Sequence, residues 1–287
     1  MKKFIFVPMV VAALVVLTTQ CLNKKQAAPS QKAITLQTHK DGADSMRIDS
    51  IAPLKPLIFQ ALNNVQAMAV LKENNIDSLF LTDTPDNGFY GEDRYRIEFI
   101  NQSVKRDPKD VTLYHIKGMN RHKKIITPFV GTIRIKQISE FTDPNVSMES
   151  YDNSPNAKYS HMYAAKGDFV IAEDSTVQYS GLFKGEMKIE FIAMPKESPS
   201  LWFYSQAGLP SGCAGYRFDG TWTNYSKKDM VKPVIWARDI FRFSNDILKD
   251  FSYGERDIEI NPKYRDLGWE DYWANDEWWN KAEKPKM

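Results

Sequence analysis

Alternation of polar and apolar residues predicts a mainly β fold, built on an antiparallel, strongly curved sheet with a few peripheral α-helices. Several segments have apolar residues at every second position, which is typical of strands with one buried and one solvated face. Within these segments, glycines recur two positions after aromatic residues, and glycine lets a strand bend sharply. The sequence lacks the long continuous apolar runs of a parallel sheet. These patterns leave both a barrel and a sandwich open.

The start of the chain resembles the export signal of a bacterial lipoprotein. Lys2 and Lys3 precede an apolar run over 4–17, which is too short to span a bilayer but suits a signal core. Cys21 follows, where such lipoproteins carry their lipid. The resemblance implies a signal peptide over 1–20 and a membrane anchor through lipid on Cys21.

The rest of the chain divides into two parts. Residues 21–55 are polar with little periodicity and are predicted to form a flexible tether. Residues 56–287 are predicted to form a single β-rich domain with a Trp-rich C-terminal segment.

The residues after Cys21 bear on the predicted location, because some bacterial surface lipoproteins carry an acidic cluster there. No acidic cluster follows Cys21. We therefore expect an exported protein on the periplasmic side of the outer membrane, with the cell surface as the alternative location.

Charge and composition exclude several functional classes. The chain has 38 Lys and Arg against 36 Asp and Glu, and Lys2 and Lys3 of the predicted signal account for the difference. The remaining chain is neutral, so we expect no nucleic-acid partner. Four His and two Cys, without metal-ligand spacing, predict no metal site and no disulfide scaffold. No dinucleotide or phosphate-binding glycine motif is present, so no cofactor is predicted.

The first element predicted after the tether is a helix from Pro56 to Glu73. Apolar residues recur there at helical spacing, and a proline suits the first turn of a helix. Four clear strands follow. They contain the alternating residues Tyr95, Ile97 and Phe99; Gly131, Ile133 and Ile135; Phe183, Gly185, Met187, Ile189 and Phe191; and Tyr216, Phe218, Gly220 and Trp222.

Three of these strands share an aromatic-x-Gly pattern with the glycine on the apolar face. The glycines are Gly131, Gly185 and Gly220. Missing side chains at these positions either open a cavity or allow strong curvature, and curvature is the favoured interpretation. The last copy extends to Gly220-Thr221-Trp222, which resembles the Gly-x-Trp signature of lipocalin and avidin-like barrels. The whole chain also resembles uncharacterised bacterial lipoproteins with a β-rich, lipocalin-like (calycin-like) domain, a family that has no assigned chemistry.

A second helix is predicted from Val234 to Phe251. Trp236, Ile240 and Phe243 begin an apolar stripe at helical spacing, with Pro233 just before it. We expect this helix to pack across the sheet or to close one end of a barrel, with an interaction surface for a partner as the alternative.

The C-terminal segment is rich in Trp and interleaved acids. Its aromatic candidates for ligand binding are Trp269, Tyr272, Trp273, Trp278 and Trp279. Aromatic faces beside carboxylates suit the stacking and hydrogen bonding of sugar rings, and they also suit a protein interface. The alternative is that these large side chains anchor the end of the chain onto the domain.

Two further patterns suggest chemistry. Glu255, Asp257 and Glu259 alternate along one predicted strand face and resemble the Glu-x-Asp-x-Glu strand of the jelly-roll glucanases of glycoside hydrolase family 16. That resemblance implies an acid and base pair for glycoside hydrolysis, whereas the alternative is a solvated strand face. Cys213 lies in a loop of small residues and would need His161 nearby to act as a nucleophile; a buried structural cysteine is the alternative.

Together these patterns predict a lipid-anchored envelope protein that binds a glycan, a small apolar ligand or another envelope protein without catalysing a reaction. The alternative is a glycoside hydrolase that uses Glu255, Asp257 and Glu259.

Overall fold

Strands dominate the described part of the chain. A computed structural model describes residues 58–142, 161–193, 197–201, 209–213, 215–244, 246–249, 259–274 and 276–281. In these ranges the strands are β1 (Phe59–Ala61), β2 (Asp86–Tyr90), β3 (Tyr95–Arg106), β4 (Leu113–His122), β5 (Ile125–Phe141), β6 (His161–Glu173), β7 (Gly181–Ala193), β8 (Ser200–Leu201), β9 (Tyr216–Asn224), β10 (Val231–Ala237), β11 (Leu248–Lys249) and β12 (Glu259–Ile260). The helices are α1 (Asn64–Glu73), α2 (Trp278–Lys281) and the 3₁₀ turns Asp77–Phe80, Ile240–Phe243 and Pro262–Leu267.

Eight antiparallel strands close into a barrel. Strands β2 to β7, then β9 and β10, each pair with the next, and β10 pairs back with β2. The register of the closing pair sets Val234 opposite Tyr90. Strand β1 extends the sheet beside the far end of β5, and β8 pairs with β7. This up-and-down order confirms the predicted antiparallel, strongly curved sheet, and closure of the ring selects the barrel over the sandwich.

The predicted strands are confirmed, and their glycines lie where neighbouring backbones approach closely. Gly185 and Gly220 face each other across β7 and β9. A Cβ atom on Gly220 would lie 2.2 Å from the carbonyl oxygen of Lys184, and one on Gly185 would lie 2.2 Å from that of Asp219. The space beside these glycines is filled by the adjacent strand, so they serve curvature rather than a cavity.

Aromatic rings fill the middle of the barrel. Trp236 stacks on Phe99 and Phe218, with ring centroids 4.1 and 4.6 Å away. The rings of Phe169 and Phe183 meet it edge-on at 5.1 and 6.2 Å. We call these five residues the aromatic plug. The plug lies between the two ends of the barrel interior.

One end of the barrel is closed by the chain that precedes β2. Phe80 is fully buried there and packs against Tyr114 and Tyr216, with ring centroids 6.4 and 5.4 Å away. The hairpins β2–β3, β4–β5, β6–β7 and β9–β10 all lie at the opposite end, because successive antiparallel strands alternate in direction. That second end is the barrel mouth.

The first predicted helix begins later than expected. Helix α1 ends at Glu73 as predicted, but it begins at Asn64, and strand β1 occupies part of the predicted range. Asn63 sets the start, because its side chain accepts a hydrogen bond from the Gln66 N–H at 3.0 Å while the Gln66 side chain accepts one from the Asn63 N–H. This reciprocal pair is a capping box.

The second predicted helix is wrong. Its range begins instead with β10, continues with a 3₁₀ turn at Ile240–Phe243 and reaches the short strand β11. Closure of the barrel requires β10 between β2 and β9, and this pairing turns Trp236 inwards. Ile240 and Ile247 belong to a separate cluster outside the barrel. The apolar residues that have helical spacing in the sequence therefore belong to two different hydrophobic clusters.

None of the helices in the described part of the chain has the length and hydrophobicity needed to span a bilayer.

Candidate functional site

The barrel mouth contains a cavity of about 360 Å³. This volume falls in the range of roughly 300–1,000 Å³ that small-molecule sites occupy. The cavity is lined by aromatic and polar side chains together, chiefly Tyr90, Asn120, His122, Glu173, Phe183 and Trp222. Phe183 lines this cavity and also belongs to the aromatic plug, so the plug forms the floor of the cavity. We call this cavity the mouth pocket.

Strand alternation brings the polar residues of the pocket inwards. In β4, buried Tyr114 and Ile116 set the inward phase, and Asn120 and His122 continue it. In β6, Glu173 is in phase with buried Ile171 and ends the strand. Polar side chains at core positions are costly unless they are hydrogen-bonded.

Glu173 is the centre of the polar group. Its carboxylate accepts hydrogen bonds from the Asn120 side-chain amide at 2.7 Å, the Gly181 N–H at 2.7 Å and the Trp222 indole N–H at 2.8 Å. The donors come from β4, β7 and β9, on both sides of β6. Burial raises the pKa of Glu173 above its ordinary value, and the three donors offset only part of that effect.

His122 supplies a second polar group. Its ring lies 4.2 Å from the ring of Tyr90 and 5.1 Å from that of Tyr95, measured between centroids. Its Nε2 atom is buried and has no hydrogen-bond partner among the described residues. Burial, assisted by the positive charge of Lys123, lowers the pKa of His122 to about 4, so the imidazole is neutral at neutral pH.

Aromatic rings and lysines form the sides and rim of the pocket. The rings of Tyr90 and Trp222 meet edge-on, 5.4 Å apart. Tyr179 stands at the rim with 69% of its surface exposed. Lys123 and Lys232 also line the opening, and the Lys123 ammonium lies 4.8 Å from the Tyr95 ring centroid. The site therefore combines a solvated basic rim with a desolvated acidic and aromatic interior.

The predicted aromatic candidates lie outside the barrel, away from the mouth pocket. Trp269 is fully buried, and its indole N–H donates to the Arg94 carbonyl at 2.9 Å. Trp278 is also buried and packs with Ile100 and Met119 on the outer face of β3 and β4. Burial of both side chains is what an anchoring role requires, and ligand binding by these two residues also stays a prediction.

The other three aromatic candidates are more accessible. Tyr272 is partly buried and stacks on Trp269, with ring centroids 6.0 Å apart. Trp279 is also partly buried and meets Trp278 edge-on. Half of the surface of Trp273 is exposed. Ligand binding by these three residues stays a prediction.

A charged network joins the C-terminal segment to the barrel. The Glu98 carboxylate accepts hydrogen bonds from Arg96 at 3.0 Å and from Arg121 at 2.6 Å. Arg121 also pairs with Asp276, and its guanidinium lies 5.2 Å from the Trp278 ring centroid. Arg96 and Glu98 are both buried, so the segment covers a charged as well as an apolar part of the outer wall.

The structure describes only some of the remaining sequence candidates. Glu255, Asp257 and the lipidation candidate Cys21 lie outside the described residues. Glu259 is exposed in β12, opposite Lys249. The hydrolase hypothesis and the lipidation of Cys21 stay predictions.

Cys213 fits the structural interpretation. Its thiol is buried, lies 3.4 Å from the Tyr216 carbonyl oxygen and has its pKa raised to about 12 by burial, so it stays protonated. His161 is exposed, and its ring pairs with the Glu140 carboxylate at 2.8 Å. Neither residue is prepared for nucleophilic chemistry.

The loop before Cys213 is held by a buried carboxylate. Glu190 is fully buried and accepts hydrogen bonds from the N–H and the hydroxyl of Ser211, at 2.8 and 2.5 Å. Burial raises the pKa of Glu190 to about 7. This carboxylate packs under the loop and serves its structure.

The mouth pocket was not predicted from the sequence, although part of its signal was present. His122 and Asn120 have the phase of the apolar face of β4, whereas His115 has the opposite phase and is exposed. Polar residues on the core face of a strand therefore mark this site.

Searches of protein-family models, curated proteins and solved structures found no match to this chain. Among the described residues, no group of three or more His, Cys, Asp or Glu is arranged to hold a metal ion.

Proposed function

We propose that the protein is a non-enzymatic binding protein that takes a small organic ligand into the mouth pocket. The observation that carries the proposal is the pocket itself, which combines aromatic sides with a preformed polar centre at Glu173. Ligand sites typically place a few oriented polar groups within a mostly apolar cavity. The closed opposite end and the aromatic plug support a one-entrance site.

We also propose that the chain is exported and anchored by lipid on Cys21. The charged start and apolar run of residues 1–20 support this part of the proposal. The anchor would hold the pocket at the envelope without contributing to ligand recognition. Labelling cells with an alkyne fatty acid tests it, because the label should be lost in Cys21→Ser.

The pocket proposal is tested by NMR with Trp222 as the reporter. A library of neutral, cationic and anionic aromatic fragments is titrated into protein labelled at the indole nitrogens, and Trp222→Phe assigns the resonance. Because the Trp222 indole N–H donates to Glu173 inside the pocket, we expect a bound fragment to shift its signal.

Two variants of one strand separate pocket binding from surface binding. Thr127 is buried and lines the pocket, whereas Thr132 is in the opposite phase of β5. Thr127→Phe should abolish the fragment shifts because it fills the pocket, and Thr132→Phe should preserve them. Shifts that survive Thr127→Phe, or no shift with any fragment, would contradict the proposal.

A further inference from the structure

We propose that the ligand of the mouth pocket carries a protonated amine on a compact apolar body, and that this amine binds the carboxylate of Glu173. The inference rests on the proposed function, because it names the ligand class for the same pocket. It follows from the charge balance of the pocket interior and from the groups around it.

The described residues give Glu173 hydrogen bonds but no positively charged partner. Its three donors, from Asn120, Gly181 and Trp222, are all neutral N–H groups. An ionised carboxylate accepts about four hydrogen bonds, so one acceptor position is left. A buried carboxylate without a cationic partner is costly, and a cation beside it lowers that cost. A ligand ammonium would supply both the charge and the fourth donor.

The surrounding rings suit a cation. Tyr90 and Trp222 present aromatic surfaces to the pocket, and ring faces attract ammonium groups electrostatically. His122 is neutral at neutral pH and does not repel a cation. In the tautomer that carries its proton on Nδ1, its unpartnered Nε2 is a second acceptor for a ligand N–H.

The basic rim does not outweigh this preference. Lys123 and Lys232 are exposed at the opening, where water and salt screen their charges. Glu173 is only 8% exposed, so its interaction with a ligand is screened much less. An anionic ligand held by the rim lysines is the competing outcome, and the experiment includes it.

The test compares three probes with the same aromatic body: 2-phenylethylamine, 2-phenylethanol and 3-phenylpropionate. Each is titrated into the full-length, unaltered protein at neutral pH, with the Trp222 indole resonance as the readout. Both the amine and the alcohol can donate a hydrogen bond to Glu173, but only the amine adds a positive charge beside the desolvated carboxylate, so we expect it to bind at least about tenfold more tightly. Equal or tighter binding of the alcohol or the carboxylate overturns the inference and leaves the proposed function standing. If none of the three probes shifts the Trp222 resonance, the result contradicts both the inference and the proposed function.

Paired variants assign the preference to one carboxylate. Glu173→Gln should remove the advantage of the amine over the alcohol. Asp174→Asn is the matched control, since Asp174 is the next residue but lies on the exposed hairpin and accepts from Thr176. An amine preference that persists in Glu173→Gln would refute the assignment. If Glu173→Gln does not fold, the ranking of the probes with the unaltered protein decides the inference.

Discussion

Replacing Trp269 by Ala tests whether the Trp-rich segment is an anchor. Trp269 is fully buried, packs against Phe89 with ring centroids 5.6 Å apart, and donates to the Arg94 carbonyl. Truncating a buried Trp to Ala generally costs about 3–5 kcal/mol. Trp273 is the matched control, because half of its surface is exposed and it meets Tyr272 only edge-on at 4.9 Å. Trp273→Ala should cost about 1 kcal/mol or less.

Hydrogen exchange is the appropriate assay, because it measures the opening of the segment separately from the unfolding of the barrel. We expect Trp269→Ala to lower the free energy of opening of residues 259–274 by about 3 kcal/mol or more, with a smaller effect on the barrel strands. Equal protection in Trp269→Ala and the unaltered protein would refute the anchor argument. So would an equal loss in Trp269→Ala and Trp273→Ala, since the two side chains differ chiefly in burial.

Two further predictions concern buried carboxylates. Burial raises the pKa of Glu190 from 4.5 to about 7, so between these pH values the folded state binds more protons than the unfolded state. The free energy of unfolding should therefore fall by about 3 kcal/mol as the pH rises through this range. The free energy of unfolding, measured by denaturant titration at several pH values in that range, should depend less steeply on pH in Glu190→Gln than in the unaltered protein. An unchanged pH dependence would contradict the assignment. Glu98→Ala should cost about 3–5 kcal/mol in thermal or denaturant unfolding, because it leaves Arg96 and Arg121 without their buried partner. Asp276→Asn, at a half-exposed carboxylate, should cost about 1 kcal/mol or less, and equal losses would argue against burial as the cause.

The sheet could be predicted because each strand has one face towards the core. In β7, Phe183, Met187, Ile189 and Phe191 are all buried, and this single phase is visible as alternation in the sequence. The wrong second helix shows the limit of the same method. An apolar spacing of three or four is compatible with a helix and also with a strand followed by a turn, and barrel closure decides between them.

The mouth pocket depends on contacts that local patterns do not report. Asn120 and Trp222 bond to Glu173 from 53 and 49 residues away along the chain. Their meeting requires the number of strands, the register of each pair and closure of the ring. Phase within β4 and β6 could mark the polar residues as inward-facing, but only the topology brings them into one site.

Gly181 connects the curvature of the barrel to the geometry of the pocket. A Cβ atom at this position would lie 2.5 Å from the Cε2 and Nε1 atoms of Trp222, so any other residue would displace the indole. The Gly181 N–H and the Trp222 N–H both donate to the same oxygen of Glu173. The missing side chain thus lets the Trp222 ring lie against β7 with its N–H directed at the carboxylate. The same kind of strand glycine that permits curvature elsewhere therefore orients a polar group here, at the point where β6, β7 and β9 contribute Glu173, Gly181 and Trp222 to the pocket.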